Sequence, residues 1–337
     1  MKIVVISTIR NESDILEAFV RYHLQIVDRM IIINHRSADS SGHILESLIK
    51  EGLPVELTEE KSLELQQGPF LTRIMKKAVK DYDADWVIPL DADEFLAVSG
   101  EGHIREIMEK LPSDKVVKVP WRTYVPIPSD NFEEPNVLTR IQHFRNRENQ
   151  NLRKIMVPRS LALKKNGLIA AGNHGFVRET FRKQKEFPYV NTDQLVFAHF
   201  PVRSSQQIMT KAFVGWLACL AKPNREPTEN FHLKLLFDRF KNGGQIPLEE
   251  LTSMASEYAA ASGSPALTKD DIVHKPLLPE EGELTLRYTG SFPASPLSVL
   301  AQMAEEFAEA LAAARKKDFK KDNTTWASSW IRSWQHK

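Results

Sequence analysis

The chain has 337 residues, of which 42% are hydrophobic and 26% are charged, a composition typical of a globular protein with one large domain or two smaller ones. Its 45 basic and 44 acidic residues nearly cancel, so no overall field favours binding to nucleic acid or to an acidic membrane. The single cysteine, Cys219, excludes an intrachain disulfide, and no apolar run is long enough to span a bilayer. We therefore expect a cytosolic protein.

The first ninety residues predict strands that alternate with helices. Apolar, β-rich runs at 2–6 and 30–33 are typical of buried strands, and a third, short strand is predicted at 54–57. Helical spacing of apolar residues predicts a helix after each of these strands. Such alternation favours right-handed βαβ units and a mostly parallel sheet.

A fourth strand is predicted at 86–90, and it ends in three carboxylates, Asp91, Asp93 and Glu94. Acids at the carboxyl end of a strand lie where open α/β sheets bind their ligands, and three acids this close repel one another unless a cation sits among them. Mg²⁺ or Mn²⁺, shared with substrate phosphates, would supply that cation. A solvated acidic turn remains the alternative. Pro89 cannot donate to a sheet ladder, so we expect a bulge or one-sided pairing there.

The pattern changes after residue 95. Residues 123–150 are rich in proline, asparagine and charge, which predicts a long surface excursion. Short strand-like pieces follow between 155 and 198. Further helices are predicted in or near the ranges 104–111, 204–222, 231–241, 248–261 and 297–315.

The usual phosphate cradles are absent from the sequence, which has neither a P-loop nor a glycine-rich dinucleotide turn. A metal and basic side chains would therefore have to hold the phosphates of a nucleotide. Five basic residues at or near the relevant loops are candidates: Arg10, Arg36, Arg73, Arg153 and Lys154. A solvated surface charge is the alternative for each of them.

Two histidines are candidates for chemistry. His199 ends the apolar run at 195–198, where it could complete the shell of a metal held by carboxylates, because imidazole suits Mn²⁺. His174 lies between two strand-like pieces. For either histidine the alternative is a hydrogen bond to the backbone of a loop. The sequence has no H-E-x-x-H and no G-x-S-x-G, which argues against a zinc protease or a serine hydrolase.

An ordered set of short motifs carries a family resemblance. The set comprises Thr8-Ile9-Arg10-Asn11-Glu12, Tyr22-His23-Leu24, Ile33-Asn34-His35-Arg36-Ser37-Ala38-Asp39, Leu90-Asp91-Ala92-Asp93-Glu94-Phe95, Gly172-Asn173-His174 and the stretch from His199 to Lys211. It resembles the family 2-like glycosyltransferases of the GT-A fold, and most closely a bacterial branch that begins with R-N-E. The resemblance covers residues 1–215, and the set departs from the family where Asn34-His35-Arg36 stands in place of Asp-Asn-Gly.

The resemblance implies an α/β protein of the GT-A class, with a Rossmann-like mixed sheet and helices on both faces. The catalytic domain would occupy residues 1–222, with a nucleotide half at about 1–96 and an acceptor half at about 97–222. Residues 223–337 lie outside the resemblance, and the apolar spacing within them predicts a mainly helical extension of unassigned role.

The resemblance further implies a metal-dependent glycosyltransferase of the hexosyltransferase type. Its donor would be a nucleotide-diphospho-sugar, most often a UDP-sugar, and its acceptor a hydroxyl of a glycan or a lipid-linked glycan in polysaccharide synthesis. The implied metal ligands are Asp91, Asp93 and His199. The expected donor-binding residues are Thr8, Arg10, Asn11, Glu12, Asn34, Arg36, Arg73, Asp91 and Lys154.

Family 2 enzymes generally invert the anomeric centre, so a carboxylate or an imidazole would take the proton of the acceptor hydroxyl. The candidates are Asp193, His174 and Glu94. For Glu94 the alternative is a structural role beneath the metal loop.

Trp326, Trp330 and Trp334 follow a basic run and would form one stripe on a helix. Such a stripe could contact the inner face of a membrane peripherally, or pack on the protein or on a second copy. Two other functions remain open, a sugar-phosphate nucleotidyltransferase and a non-catalytic carbohydrate-binding protein. The first would need a glycine-rich loop after the first strand, which residues 7–12 lack.

Overall fold

A computed structural model of the chain describes residues 1–62, 67–149, 151–179, 184–220, 231–260, 268–290 and 297–311. The predicted alternation of strands and helices is confirmed at its start. The elements are β1 (Ile3–Ile9), α1 (Leu16–Leu24), β2 (Arg29–His35), α2 (Ser41–Lys50), β3 (Val55–Glu60), α3 (Gln67–Tyr82) and β4 (Trp86–Pro89). The third strand extends three residues beyond its predicted end.

The first four strands are parallel, in the order β3-β2-β1-β4. Side chains alternate along β1, so that Ile3 and Val5 pack with α1 and α2 while Val4 and Ile6 pack with α3. Both faces of the sheet are thereby covered, which explains why these strands are apolar throughout. The carboxyl ends of all four strands meet at one edge.

The second half of the chain continues the same sheet. Its elements up to residue 220 are β5 (Glu94–Val98), α4 (Ile104–Glu109), β6 (Val116–Thr123), α5 (Val137–Arg140), β7 (His143–Arg145), β8 (Arg153–Pro158), α6 (Arg159–Ala162), β9 (Gly167–Ile169), β10 (Phe176–Glu179), β11 (Gln184–Glu186), β12 (Tyr189–Asn191), β13 (Leu195–His199) and α7 (Ser205–Leu220). The sheet runs on as β4-β8-β6-β13-β5 with antiparallel steps at β8 and β5. The expected mixed α/β sheet with helices on both faces is confirmed.

Pro89 is paired on one side, as the sequence predicts. It lies opposite Ile6 of β1, whereas the pairing of β4 with β8 stops at Val87. The missing N–H of the proline therefore falls where the ladder to β8 has already ended.

The expected surface excursion after residue 123 is wrong. Tyr124, Val125, Val137 and Ile141 are each at most 1% exposed. These apolar residues are spaced among prolines and charges, so the composition of the stretch hides the fact that it builds part of the core.

The C-terminal residues pack back onto the sheet domain. Their elements are α8 (Phe231–Lys241), α9 (Leu248–Ser256), β14 (Ile272–His274) and α10 (297–311). β14 pairs with β7, and the buried Glu17 of α1 accepts hydrogen bonds at 2.8 Å from the N–H groups of Arg287, Tyr288 and Thr289. The predicted tryptophan stripe lies outside the described residues. Among the described helices, none combines the length and apolar character needed to cross a membrane.

Candidate active site

A buried lysine lies among the carboxylates at the end of β4. Lys154 Nζ on β8 donates to Asp91 Oδ2 at 2.7 Å and lies 2.9 Å from Glu94 Oε1. Burial would lower the pKa of Lys154, but Asp91 and Glu94 outweigh it and raise that pKa above its ordinary value. For two of the three acids, the protein itself therefore supplies the cation that offsets their repulsion.

Asp91 is engaged by further protein donors. Its Oδ1 accepts from Gln67 Nε2 at 2.7 Å and from Asn173 Nδ2 at 3.2 Å. Gln67 Oε1 in turn accepts from the Gly172 N–H at 3.1 Å. Asp91 thus fastens the start of α3 and the loop that carries Asn173 to the end of β4.

Glu94 is fully buried beneath this loop. Its Oε1 accepts from Trp121 Nε1 at 2.8 Å, and its Oε2 accepts from the Asp91 N–H at 3.2 Å. Burial raises the pKa of Glu94, and Lys154 opposes that rise. Both oxygens are occupied inside the protein, which favours the structural role over a role as the base.

Asp93 and His199 face each other across two strand ends. β13 pairs with β5 so that His199 lies opposite Glu94, and the Phe200 N–H donates to the Asp93 carbonyl at 2.8 Å. His199 Nε2 then lies 3.7 Å from Asp93 Oδ2, which is too long for a hydrogen bond. The two side chains are only 4% and 10% exposed. Register between distant strands therefore brings together two of the three predicted metal ligands.

Arg203, just beyond β13, joins Asp93 to the loop after β1. Its Nε and Nη2 donate to the two carboxylate oxygens of Asp14 at 2.7 and 2.9 Å, and Nη2 also donates to Glu12 Oε2 at 2.7 Å. Its Nη1 lies 3.6 Å from Asp93 Oδ2. A planar guanidinium suits this task because it offers several donors in a fixed fork.

The charges in this cluster shift two carboxyl groups in opposite directions. Burial would raise the pKa of Asp93, but its interactions with His199, Lys211 and Arg203 outweigh burial and hold that pKa below its ordinary value. Burial raises the pKa of Glu12 to about 8, against the opposing effect of Arg203. Asp93 is therefore an anion at neutral pH, the state that cation binding requires.

His199 lies between two aromatic rings. Trp121 stacks on it with ring centroids 4.5 Å apart, and Tyr258 meets it edge-on at 5.2 Å. Lys211 Nζ lies 5.6 Å from the centroid of the Tyr258 ring. Tyr258 follows α9, so the predicted C-terminal extension contributes one wall of the site.

A buried arginine holds the Tyr258 segment in place. Arg145 Nη1 donates to the carbonyls of Ser256 and Tyr258 at 2.8 Å each, and its Nη2 donates to Glu148 Oε2 at 2.6 Å. Glu148 Oε1 accepts from the N–H of Thr123, the last residue of β6, at 2.5 Å. Hydrogen bonds thus connect the extension to the main sheet.

The ends of β1 and β2 and the loop after β1 hold several buried polar atoms that have no hydrogen-bond partner within the described part of the chain. They are Thr8 Oγ1, Arg10 Nε, Asn11 Nδ2 and His35 Nδ1. Buried polar groups are normally paired, so such a cluster is typical of a site that a ligand completes. Asn11 and Arg36 also have φ of 58° and 54°, a strained conformation that is common at functional sites.

Two other predicted donor-binding residues have protein partners. Asn34 Nδ2 donates to Glu59 at 3.1 Å, and its Oδ1 accepts from the Ser37 N–H at 3.2 Å. Arg73 is 57% exposed and lies 3.3 Å from Glu60. Neither contact places these side chains beside Asp93.

His174 and Asp193, the remaining candidate bases, both contact Arg153. His174 Nδ1 lies 3.0 Å from the Arg153 carbonyl, so it carries the proton and donates, which leaves Nε2 with a lone pair. Burial, with help from Lys154, lowers the pKa of His174. Asp193 is 81% exposed and accepts a hydrogen bond from Arg153 Nη1 at 3.0 Å. It precedes β13, so it lies at the opposite end of that strand from His199.

A cavity of about 390 Å³ lies beside the loop after β1. Its walls carry carboxylates, amides and hydroxyls, together with one aromatic ring, a chemistry that suits a ligand rich in hydroxyl groups. It is lined by Asn11, Ser13, Asp14, Asp39, Phe132, Glu133, Pro135, Arg140, Ser204, Gln206, Gln207, Thr210, Thr289 and Gly290.

The described residues contain no group of three histidine, cysteine or acidic side chains arranged to hold a metal ion. Asp93 and His199 nevertheless fit a Mg²⁺ or Mn²⁺ ion of the kind that one or two protein ligands share with substrate phosphates. Asp91 fits this role less well, because both of its oxygens already accept from protein donors. Of the three metal ligands predicted from the sequence, Asp93 and His199 therefore face each other, whereas Asp91 is hydrogen-bonded to other protein groups.

Two residues of the cluster were missed by sequence reasoning. Arg203 lies four residues after His199, in the stretch from His199 to Lys211. Its position just beyond a strand that ends in a histidine could have indicated that it belongs to the site. Tyr258 carries no such signal, because its position depends on the fold of the C-terminal segment.

No protein-family model matches the chain, and no curated protein matches it either. Among solved structures, it is similar to S. aureus TarS residues 1–349, with 11% identity, a TM-score of 0.37 and coverage of 78% of this chain and 74% of that one. It is similar to the mannosyltransferase PcManGT from Pyrobaculum calidifontis in complex with GDP-Man and Mn²⁺, with 13% identity, a TM-score of 0.38 and coverage of 78% and 76%.

A third structure is glucosyl-3-phosphoglycerate synthase from Mycobacterium tuberculosis in complex with Mn²⁺, UDP and glucosyl-3-phosphoglycerate. It has 18% identity and a TM-score of 0.26, and the alignment covers 36% of this chain and 44% of that one. None of the three TM-scores reaches 0.5, so the function proposed below rests on the residues of this chain.

Proposed function

We propose that this protein is a metal-dependent glycosyltransferase that moves a hexosyl group from a nucleotide-diphospho-sugar, in the first instance a UDP-sugar, to an acceptor hydroxyl. The observation that carries the proposal is the approach of Asp93 and His199 at the carboxyl edge of the sheet. A buried anion and an imidazole, close but not hydrogen-bonded, provide what a divalent ion on a diphosphate would take from the protein.

Asp93 and His199 would hold the metal, which would neutralise charge on the leaving diphosphate when bound. His199, Lys211 and Arg203 hold the pKa of Asp93 below its ordinary value, and Arg203 also binds Asp14 through its guanidinium fork. The partnerless polar atoms around Thr8, Arg10 and Asn11 would meet the polar groups of the nucleotide. Lys154 and Asp91 contribute by fixing the end of β4 and the loop that carries Asn173.

The acceptor would enter through the 390 Å³ cavity beside Asn11 and Asp14. Its hydroxyl and amide lining matches a sugar acceptor, in keeping with a role in glycan or polysaccharide synthesis. Of the three candidate bases, His174 has the geometry we favour, because Nδ1 is engaged by the Arg153 carbonyl and Nε2 is left basic. Removal of the acceptor proton by His174 is consistent with an inverting reaction.

A nucleotide-binding experiment tests the proposal. Thermal-shift and calorimetric titrations with UDP, GDP, CDP and ADP, each with and without Mn²⁺, should show stabilisation by at least one nucleoside diphosphate that requires the metal. Asp93→Asn should abolish this metal-dependent stabilisation, because it neutralises the buried anion that faces His199. Asp114→Asn, an exposed acid away from the edge, is the matched control and should behave as the unaltered protein does.

Other outcomes identify the alternatives. Nucleotide binding that ignores both the metal and Asp93→Asn would refute the metal assignment. Binding of a nucleoside triphosphate with a sugar phosphate, followed by release of pyrophosphate, would identify a nucleotidyltransferase. Binding of oligosaccharides with no response to any nucleotide would identify a carbohydrate-binding protein.

His174→Gln should lower kcat by about 10²-fold, the lower end of what a positioned base contributes. The pKa of His174 is lowered by burial, so the unaltered enzyme should keep its rate somewhat below pH 6.5 and lose it as the pH falls through that lowered pKa. The variant should lack this acid limb. His103→Gln, which alters an exposed histidine, is the control in the pH–rate profiles. If the kcat of His174→Gln is within twofold of that of the unaltered protein, His174 is not the base.

A further inference from the structure

Glu306 of α10 lies between the two arginines that follow β1 and β2. Glu306 Oε2 is 3.3 Å from Arg10 Nη2, and Oε1 is 2.7 Å from Arg36 Nε. The carboxylate is only 6% exposed, and the arginine side chains are 13% and 21% exposed. Gln302, one turn earlier on α10, donates to Glu306 Oε1 at 3.1 Å. A helix from the far end of the chain thus inserts a buried anion at the carboxyl edge of the sheet.

The surroundings of this carboxylate suggest that it occupies a site built for another anion. Arg10 and Arg36 directly follow the neighbouring parallel strands β1 and β2, where Ile9 pairs with Asn34. Two like charges this close repel each other, and an anion between them offsets the repulsion. Arg10 Nε is buried and has no partner in the described part of the chain even with Glu306 in place. A carboxylate offers two oxygens, whereas a phosphate group offers three and can accept hydrogen bonds from more of the N–H groups of the two arginines.

We propose that Arg10 and Arg36 form an anion-binding subsite for a phosphate group of the donor, and that Glu306 fills this subsite in the free protein. The identity of the anion as the phosphate of a nucleotide-diphospho-sugar rests on the function proposed above. Donor binding and docking of α10 then compete for the same two guanidinium groups. Burial with Arg36 nearby lowers the pKa of Arg10 and Glu306 opposes this, as expected of two cations that share one anion.

Binding of pyrophosphate without any divalent metal tests the subsite directly. Glu306→Gln keeps the size of the side chain and removes the competing charge, so it should bind pyrophosphate about tenfold more tightly than the unaltered protein, a gain of about 1.4 kcal/mol. Glu306→Asp, which is too short to reach both arginines, should give a smaller gain. Glu305→Gln, an exposed glutamate on the same helix, is the matched control and should give none.

The double variant Glu306→Gln/Arg36→Gln should lose the gain, which assigns it to this pair of arginines rather than to other basic residues. Equal or weaker pyrophosphate binding by Glu306→Gln and Glu306→Asp would overturn the proposal, because Glu306 would then be a structural tie. A parallel titration with UDP and Mn²⁺ separates the two proposals. If Glu306→Gln gains pyrophosphate affinity but no variant binds a nucleoside diphosphate, the subsite stands and the glycosyltransferase assignment fails.

Discussion

Replacing Arg203 by methionine should lower the free energy of unfolding by about 3 kcal/mol, the lower end of the cost of removing one partner of a buried pair, because Asp14 and Glu12 are 35% and 26% exposed. Arg203 is 1% exposed and donates to both Asp14 and Glu12 while it faces Asp93. Methionine fills similar space but leaves three carboxylates beside one another at the end of the sheet. Urea denaturation followed by circular dichroism measures the loss.

Arg203→Lys should recover little of this stability. A single ammonium cannot reproduce the fork that spans the two Asp14 oxygens at 2.7 and 2.9 Å. The matched control is Arg159→Met, which removes an exposed, solvent-screened pair with Asp83 and should change the free energy of unfolding little. If Arg203→Met costs no more than this control, the carboxylates are not held by Arg203 and the charge assignment of the cluster is wrong.

Replacing Lys154 by methionine should also cost about 3–5 kcal/mol near pH 8. The lysine is 1% exposed and compensates Asp91 and the fully buried Glu94. The loss should depend on pH. Burial already holds the pKa of Glu94 above its ordinary value and Lys154 opposes this, so removal of the lysine raises that pKa further.

A carboxyl whose folded-state pKa lies above its unfolded value, about 4.3 for glutamate, favours the folded state at low pH and loses that contribution as the pH rises through the folded-state pKa. The destabilisation by Lys154→Met should therefore be smaller at pH 5 than at pH 8. Adding Glu94→Gln should recover part of the stability at pH 8, because it removes the charge that lost its partner. Lys115→Met, an exposed lysine, is the control. A loss that is the same at both pH values would show that packing, rather than charge, is what Lys154 supplies.

The first four strands and the helices between them could be predicted largely from the sequence, because their signals are local. Strands buried on both faces are continuous apolar runs, and β1, β2 and β4 were predicted close to their observed bounds. One-sided pairing at Pro89 followed from the chemistry of a single residue. The stretch that contains α5 and β7 was predicted wrongly, because its buried residues have no regular period and its composition resembles that of a loop.

The sequence by itself determined that three acids end the fourth strand, that a histidine ends a later one, and that a mixed α/β sheet carries them. Only the tertiary structure decided which charges meet, because ion pairs between distant residues depend on strand register and on where the last helices dock. Lys154 reaches Asp91 and Glu94 because β8 runs antiparallel beside β4. Glu306 reaches Arg10 and Arg36 because α10 returns to the carboxyl edge, and no pattern of spacing encodes that return.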